Sequence, residues 1–320
     1  MSTAEEVSSE EINYNVSVDL PEPPEKPLDS DCCGTGCTPC VFDIYDEEML
    51  RWKKECDRIR SGATDTDLQT GDDIQVLSTS EFRSFALDSI TTLTRDSCLY
   101  RFIIPGNRKL GLKIGQHLIM RGKLEGKTIT RQYTPVSDQD CQGHFDVLIK
   151  VYPNGKMSSY VRSWQVGDII EWRGPYGNFS YIPNQYRHLG MLAAGTGVAP
   201  MLQVIQGILS NEDDETFIHL VYSSQTYDEI LMKHTLDEMK AYWNFSVLYV
   251  VSKEVEADQS KVRYGDHVSY GRITRELVSR EMPEPSRDVH VLICGTESFD
   301  KDMINYLKAY GYTSDMYFKF

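Results

Sequence analysis

The pattern of apolar and polar positions changes character along the chain, and each change marks a different architecture. Residues 1–31 show no apolar periodicity. They are rich in Glu, Ser and Pro and close on Pro21-Glu22-Pro23-Pro24-Glu25-Lys26-Pro27. Such a segment has too little apolar surface to offset the entropy of ordering, so a disordered acidic tail is expected. Residues 32–60 read as a small module of their own: Cys32, Cys33, Cys37 and Cys40, then a helical pattern in which Ile44, Met49, Trp52 and Cys56 recur amid charge. Residues 61–75, made of Ser, Gly, Ala, Thr and Asp, have linker composition.

From 76 to 182 the period shortens to that of strands. Phe82–Ile90, Cys98–Ile104, Gln116–Arg121, Thr130–Ser137 and Phe145–Tyr152 are short, rich in β-branched and aromatic residues, and separated by Gly, Pro, Asn or Asp. Strands at that spacing predict a small antiparallel barrel. From 183 to 320 apolar strands (Leu189–Ala193, Phe217–Tyr222, Val247–Val251, Val289–Ile293) alternate with helical stretches (Pro200–Leu209, Tyr227–Tyr242, Ser298–Tyr310). That alternation predicts a parallel sheet with covering helices. The whole reads as an α+β protein: tail, Cys-rich helical module, antiparallel β-barrel and α/β parallel-sheet domain.

Composition adds limits rather than detail. At 320 residues the chain has room for two ordinary cores. There is no run of about 18 apolar residues to span a membrane, and the acidic N-terminus has neither a signal core nor an Arg-rich amphipathic stretch, so a cytoplasmic protein is expected. Of the net charge of −15, −13 falls in residues 1–75, which leaves the main body nearly neutral and without an expected nucleic-acid partner. Within that body, residues 95–131 carry nine bases against Asp96 and Glu125. A local +7 attracts acidic partners, although a solvated strand-rich face would read the same way.

Four motifs carry candidate chemistry. In Arg131-Gln132-Tyr133-Thr134-Pro135-Val136-Ser137, Arg131 and Tyr133 stand two apart on a strand and so point the same way; arginine suits bidentate contact with phosphate. Gly155-Lys156-Met157-Ser158-Ser159 follows a strand, with Gly155 for a tight turn and Ser158 or Ser159 as cap of a helix through Tyr160–Trp164. Gly195-Thr196-Gly197-Val198-Ala199-Pro200-Met201 joins an apolar strand to a helix, the order that places nucleotides at a strand's carboxyl end. Cys294-Gly295 ends the strand Val289–Ile293, where a lone cysteine is either a buried apolar residue or, at the carboxyl end of a parallel strand, a thiol facing the same crevice.

Residues from about 80 to 320 resemble the NADH–cytochrome b5 reductase family, within the ferredoxin–NADP reductase-like flavoenzymes. The likeness rests on these motifs together with Gly115-Gln116-His117, Arg173-Gly174-Pro175-Tyr176-Gly177-Asn178-Phe179 and the terminal Phe320, in this order and spacing. The resemblance implies a two-domain flavoreductase that binds FAD in the barrel and NADH in the second domain, passes a hydride from nicotinamide C4 to flavin N5, and hands single electrons to an acidic haem protein of the cytochrome b5 type. It implies that Arg131 and the Gly155, Lys156, Met157, Ser158 turn hold the FAD pyrophosphate. Tyr133 and Thr134 should lie along the flavin ring and ribityl chain, with Pro135 and Val151 lining the same cofactor. Gly195, Thr196 and Gly197 should admit the nicotinamide nucleotide. Cys294 and Gly295 should sit beside the nicotinamide and Phe320 near the flavin, with Thr134 and Cys294 as the catalytic contacts. His117 reads as a structural strand histidine. Two positions depart from the family: Ala199 stands where Thr is common, and Ser252-Lys253 where an Asp favours NADH. An acid there hydrogen-bonds a ribose and repels a 2′-phosphate, and Ser with Lys removes that repulsion, so the resemblance implies NADH first while NADPH stays open. A quinone or another haem domain as acceptor, or a flavin-fold scaffold acting through the Cys module, are the alternatives.

Cys32, Cys33, Cys37 and Cys40 pack four thiols into nine residues. Four thiolates suit zinc or an iron–sulfur cluster; the tight spacing without a distant second pair favours an unmetallated helical adaptor. The segment, with Cys40-Val41 and the helix start to Trp52, resembles the short oxidoreductase-like N-terminal domain of several eukaryotic proteins.

Overall fold

The computed structural model describes residues 20, 23–24, 26–27, 41–60, 75–124, 126–254 and 261–320. The four clustered cysteines, most of the acidic tail and residues 61–74 lie outside the described residues. Helix α1, Val41–Arg60, is the described part of the N-terminal module, and it buries Ile44 and Cys56 as the sequence pattern expects.

The next six strands are β1 (Arg83–Thr94), β2 (Ser97–Ile103), β3 (His117–Leu124), β4 (Lys127–Tyr133), β5 (His144–Lys150) and β6 (Ile169–Tyr176), with the short helix α2 (Lys156–Arg162) between the last two. They form one antiparallel sheet in the order β4-β3-β6-β1-β2-β5. It curls towards closure where Val136 N donates to the Asp146 carbonyl at 2.8 Å beyond the end of β4. Phe102, Phe145 and Trp172 fill the interior, with ring centroids 5.1–5.7 Å apart, a geometry that adds to the burial energy of aromatic side chains. Strand β6 is not foreseen in the sequence. Glu171, Arg173, Gly174 and Pro175 obscure its alternation, and only pairing with both β1 and β3 makes it a strand.

The second domain places β7 (His188–Ala194), β8 (Phe217–Ser224), β9 (Phe245–Val251), β10 (His267–Tyr270), β11 (Val289–Cys294) and β12 (Tyr317–Lys319) in a parallel sheet of order β10-β9-β8-β7-β11-β12. Helices α3 (Val198–Leu209), α4 (Lys233–Met239), α5 (Arg275–Glu281) and α6 (Glu297–Tyr310) connect the strands. Leu189–Ala193 and Val289–Ile293 are buried at every position, as strands covered on both faces must be. The helix expected over Tyr227–Tyr242 is broken. A 3-10 turn at Tyr227–Glu229 is followed by Met232 in a left-handed conformation (φ 56°) before α4 begins. The break places the Tyr227 hydroxyl on Asp266, and Lys233 between Asp237 (2.7 Å) and Asp266 (2.6 Å).

The two domains are clasped by α3. Gln203, 2 % exposed, accepts from Gly115 N at 2.6 Å and donates to the Gln116 carbonyl at 3.0 Å, and Gln206 donates to the Val136 carbonyl at 3.1 Å. Phe179, Phe318 and Phe320 pack at 5.1–5.4 Å alongside. Among the described residues no helix is long and apolar enough to cross a membrane.

Candidate functional site

Between barrel and nucleotide domain lies a cavity of about 670 Å3. The barrel supplies Arg131, Tyr133 and Thr134 from the end of β4 and Gly155, Lys156, Met157 and Ser158 from the start of α2. The second domain supplies Thr196, Gly197, Cys294, Gly295 and the terminal Phe320. These residues, spread over 190 positions of sequence, meet in one space. Pro135, Val151 and Gly195 do not line it. Pro135 bridges Val147 across the barrel, Val151 packs against the barrel core, and the Gly195 carbonyl accepts from the buried Tyr222 hydroxyl at 2.9 Å.

Each wall has a local cause. Strand alternation turns Arg131 and Tyr133 to the same side, and Arg131 Nη1 is steadied by the Thr130 carbonyl at 2.8 Å. The Tyr133 ring stands edge-on to Trp172 at 6.0 Å, and burial raises its phenol, which stays protonated. Gly155 has an ordinary φ of −79°; glycine is needed there for space, because a Cβ would lie 2.8 Å from Ser158 Oγ. Neither Ser158 nor Ser159 caps the helix. Helix α2 begins at Lys156, and Ser158 Oγ instead accepts from Tyr152 N at 2.9 Å, tying the strand exit to the first helical turn. Gly195 takes φ +54°, a left-handed conformation suited to glycine. A Cβ on Gly197 would stand 2.1 Å from the Cys294 carbonyl oxygen. The turn after β7 and the end of β11 therefore touch backbone to backbone, which brings Cys294-Gly295 beside Thr196-Gly197.

The side chains at one end of the cavity are neutral and those at the other are cationic, which favours an uncharged ring at the first and an anionic chain at the second. Burial pushes the Cys294 thiol up to about 12, with the Asp300 charge adding to it, so the sulfur is a protonated contact and not a nucleophile at neutral pH. Burial lifts Asp300 to about 6 and drops His117 to about 4, leaving the imidazole neutral. Arg131, Lys150, Lys156 and Lys319 line the same cavity, with Lys150 held to Asp96 at 3.0 Å.

Sequence reasoning missed part of this lining: Gln132, Leu148, Lys150, Tyr152, Asn178 and Lys319. A signal existed for three of them. Leu148, Lys150 and Tyr152 stand two apart along and just beyond β5, and one face of that strand line is the cavity wall. Gln203, the clasp beneath the site, carries no such signal.

A flat aromatic ring with an anionic chain fits this donor set. Tyr133 and Phe320 offer aromatic surface, and Arg131 with Lys156 meets phosphate charge. Among the described residues no cluster of His, Cys, Asp or Glu has metal-holding geometry.

Comparison with known proteins agrees. The Oxidoreductase FAD-binding domain family matches residues 84–181, the Oxidoreductase NAD-binding domain family residues 191–305, and the family described as Oxidoreductase-like protein, N-terminal, residues 16–61. A Mus musculus protein named NADH-cytochrome b5 reductase-like is 43% identical over 301 residues, covering 93% of this chain and 95% of its own length. The Homo sapiens protein of the same name is 41% identical, covering 93% and 94%. The crystal structure of the cytochrome b5 reductase domain of Ulva prolifera nitrate reductase superposes with a TM-score of 0.70 at 27% identity, covering 77% of this chain and 100% of that domain. With the cavity between its two domains and relatives that span nearly its whole length, the chain belongs to the NADH–cytochrome b5 reductase family of FAD- and NAD-binding oxidoreductases.

Proposed function

We propose that this protein oxidises NADH through FAD and delivers electrons to a haem protein of the cytochrome b5 type. One observation carries the reading: Arg131, Tyr133, Thr134 and the 155–158 turn from the barrel share a single cavity with Thr196, Gly197, Cys294 and Gly295 from the nucleotide domain. FAD, when bound, accepts a hydride and releases electrons singly. The chain's own residues do the positioning. Tyr133, braced by Trp172, supports a ring face; Arg131 and the first turn of α2 hold phosphate; Thr134 and the protonated Cys294 line the place where two rings must stack at reacting distance. Barrel residues 76–182 and nucleotide-domain residues 183–320 act as the two working units, with the clasp at Gln203 setting their separation.

The nucleotide preference follows from the end of β9. Ser252 Oγ donates to the Ser224 carbonyl at 3.1 Å and Lys253 Nζ to Gln225 Oε1 at 2.7 Å. No acid stands at either position to repel a 2′-phosphate, so NADPH is used as well as NADH. The free thiols of Cys56, Cys98, Cys141 and Cys294 suit a reducing, cytoplasmic setting.

Stopped-flow mixing of the FAD-loaded protein with NADH or NADPH, and then with cytochrome b5, tests the reading. NADH is expected to bleach the flavin band, and cytochrome b5 to restore it. Ser252→Asp is expected to disfavour NADPH by about tenfold or more relative to NADH. A bound flavin that ignores both nucleotides would sink the proposal.

A further inference from the structure

We propose that Asp300 is a positioning residue for hydride transfer: its carboxylate, buried behind the Cys294-Gly295 turn, stabilises the positive charge that the nicotinamide ring gains as it gives up a hydride, and so favours NAD⁺ over NADH at the site. The inference rests on the nicotinamide reading above and adds a residue that does not itself line the cavity.

Asp300 stands in the first turn of α6. Thr296 caps that turn, its Oγ1 accepting from Phe299 N at 3.3 Å and its carbonyl from Asp300 N at 2.9 Å. Three and seven residues on, Met303 and Leu307 are buried apolar side chains on the same helix face. A carboxyl is out of place in that row. It is 4 % exposed, and its Oδ1 has no hydrogen-bond partner among the described residues. Burying a carboxylate without a paired cation costs free energy, which a positive charge arriving with the substrate would offset. The carboxyl faces the site: it stands against the Gly295 backbone N–H, and its charge acts on the Cys294 thiol. Cys294 and Gly295 in turn line the cavity.

The charge balance of the reaction gives this carboxylate a task. The nicotinamide C4–H bond breaks with both its electrons, an N5–H bond forms on the flavin, and the nicotinamide ring passes from neutral to positive. A negative charge fixed in a dry wall acts more strongly than one in water and is in place before the step begins. Lys319 of β12 opposes it. Burial raises the Asp300 pKa and the Lys319 charge lowers it, which leaves the carboxyl ionised above about 6. Lys319 lines the open cavity, where water screens it, while Asp300 is enclosed. The other neighbours bring no opposing charge: Cys294 of β11 is protonated, the Gly195–Gly197 turn has no titratable group, and Glu297, Lys301 and Asp302 of α6 are exposed.

The test compares a charged with an uncharged ring. FAD-loaded protein is titrated with NAD⁺ and with tetrahydro-NADH, whose neutral ring gives up no hydride, for the wild type, Asp300→Asn and Asp300→Glu between about pH 5 and 8. At neutral pH Asp300→Asn is expected to bind NAD⁺ about tenfold more weakly with tetrahydro-NADH unchanged within about twofold, and Asp300→Glu to keep the wild-type ratio within about threefold. The wild-type preference for NAD⁺ is expected to fall as pH drops through about 6 and to stay flat in Asp300→Asn; His117, at about 4, remains neutral over most of this range. Flavin reduction by NADH is expected to slow about three- to tenfold in Asp300→Asn. Equal weakening of both nucleotides, as a purely structural role would give, or a ratio that the substitution leaves unchanged would overturn the proposal. If the wild type holds FAD but binds neither nucleotide, the nicotinamide reading itself fails and this inference falls with it.

Discussion

His117 shows what burial does to one side chain at this site. Its position in Gly115-Gln116-His117 reads as structural, and the fold places it on the cavity wall beside Tyr176, with ring centroids 6.4 Å apart. Burial holds its pKa at about 4, below the 6.5 of an exposed histidine. The sign follows: the imidazole contributes its full stability above pH 6.5, and that contribution is lost as pH falls towards 4, because only the unfolded chain protonates readily. The shift corresponds to about 2–3 kcal/mol across that window. His117→Gln, unfolded in denaturant at pH 7 and again at pH 4.5, is therefore expected to lose less stability on acidification than the wild type. Equal losses would mean that the histidine titrates normally. Cys294 illustrates the same physics for a thiol. From sequence it is a cysteine at the right strand end; only its burial in the fold makes it a protonated contact.

At the scale of elements, regular alternation was readable and conflicting signals were not. Strand β5 and strands β7 and β11 are legible because their apolar patterns match the faces they bury. Strand β6 is not, since Arg173 and Glu171 make sense only opposite Glu48 and Arg121, two partners distant in sequence. The interrupted helix before α4 is a further case: an apolar periodicity through Tyr227–Tyr242 yields to the Asp266, Lys233 and Asp237 cluster. The clasp on α3 gives a prediction at this scale. Gln203→Leu leaves Gly115 N and the Gln116 carbonyl without their buried partner, at a cost of about 1–3 kcal/mol each. The variant is expected to unfold at lower denaturant and to slow flavin reduction by NADH while keeping FAD bound, since Arg131, Tyr133 and the 155–158 turn proposed to hold FAD belong to the barrel and not to α3. Wild-type hydride-transfer rates in a destabilised variant would show that the clasp does not set the separation of the domains.

For the whole molecule, the fold redistributes charge that looks concentrated in the chain. The stretch 95–131 sums to +7 in sequence. In space Arg95 pairs with Glu229, Arg101 with Asp146, Lys109 with Asp140 and Arg121 with Glu171, all four carboxylates coming from outside the stretch. With them counted, the local charge is +3, so steering of an acidic haem protein is weaker than the sequence suggests. Reduction of cytochrome b5 is expected to slow with ionic strength by only about three- to tenfold between 50 and 500 mM salt. A rate that rises with salt would exclude an acidic partner docking on this face.

The sequence by itself determined the two-domain plan, the strand-to-helix switch near residue 185 and about half of the residues that line the cavity between the domains. All three follow from periodicity and from residue types whose chemistry is local: glycine at turns, arginine for phosphate, alternation along strands. Only the tertiary structure decided that these segments face one another across a single cavity, that Gln203 clasps the domains, that four arginines and lysines of the basic stretch are already neutralised, and that α1 is latched over the barrel. Those are properties of pairs of residues far apart in the chain, and a pattern read one position at a time carries no information about which distant partner each side chain meets.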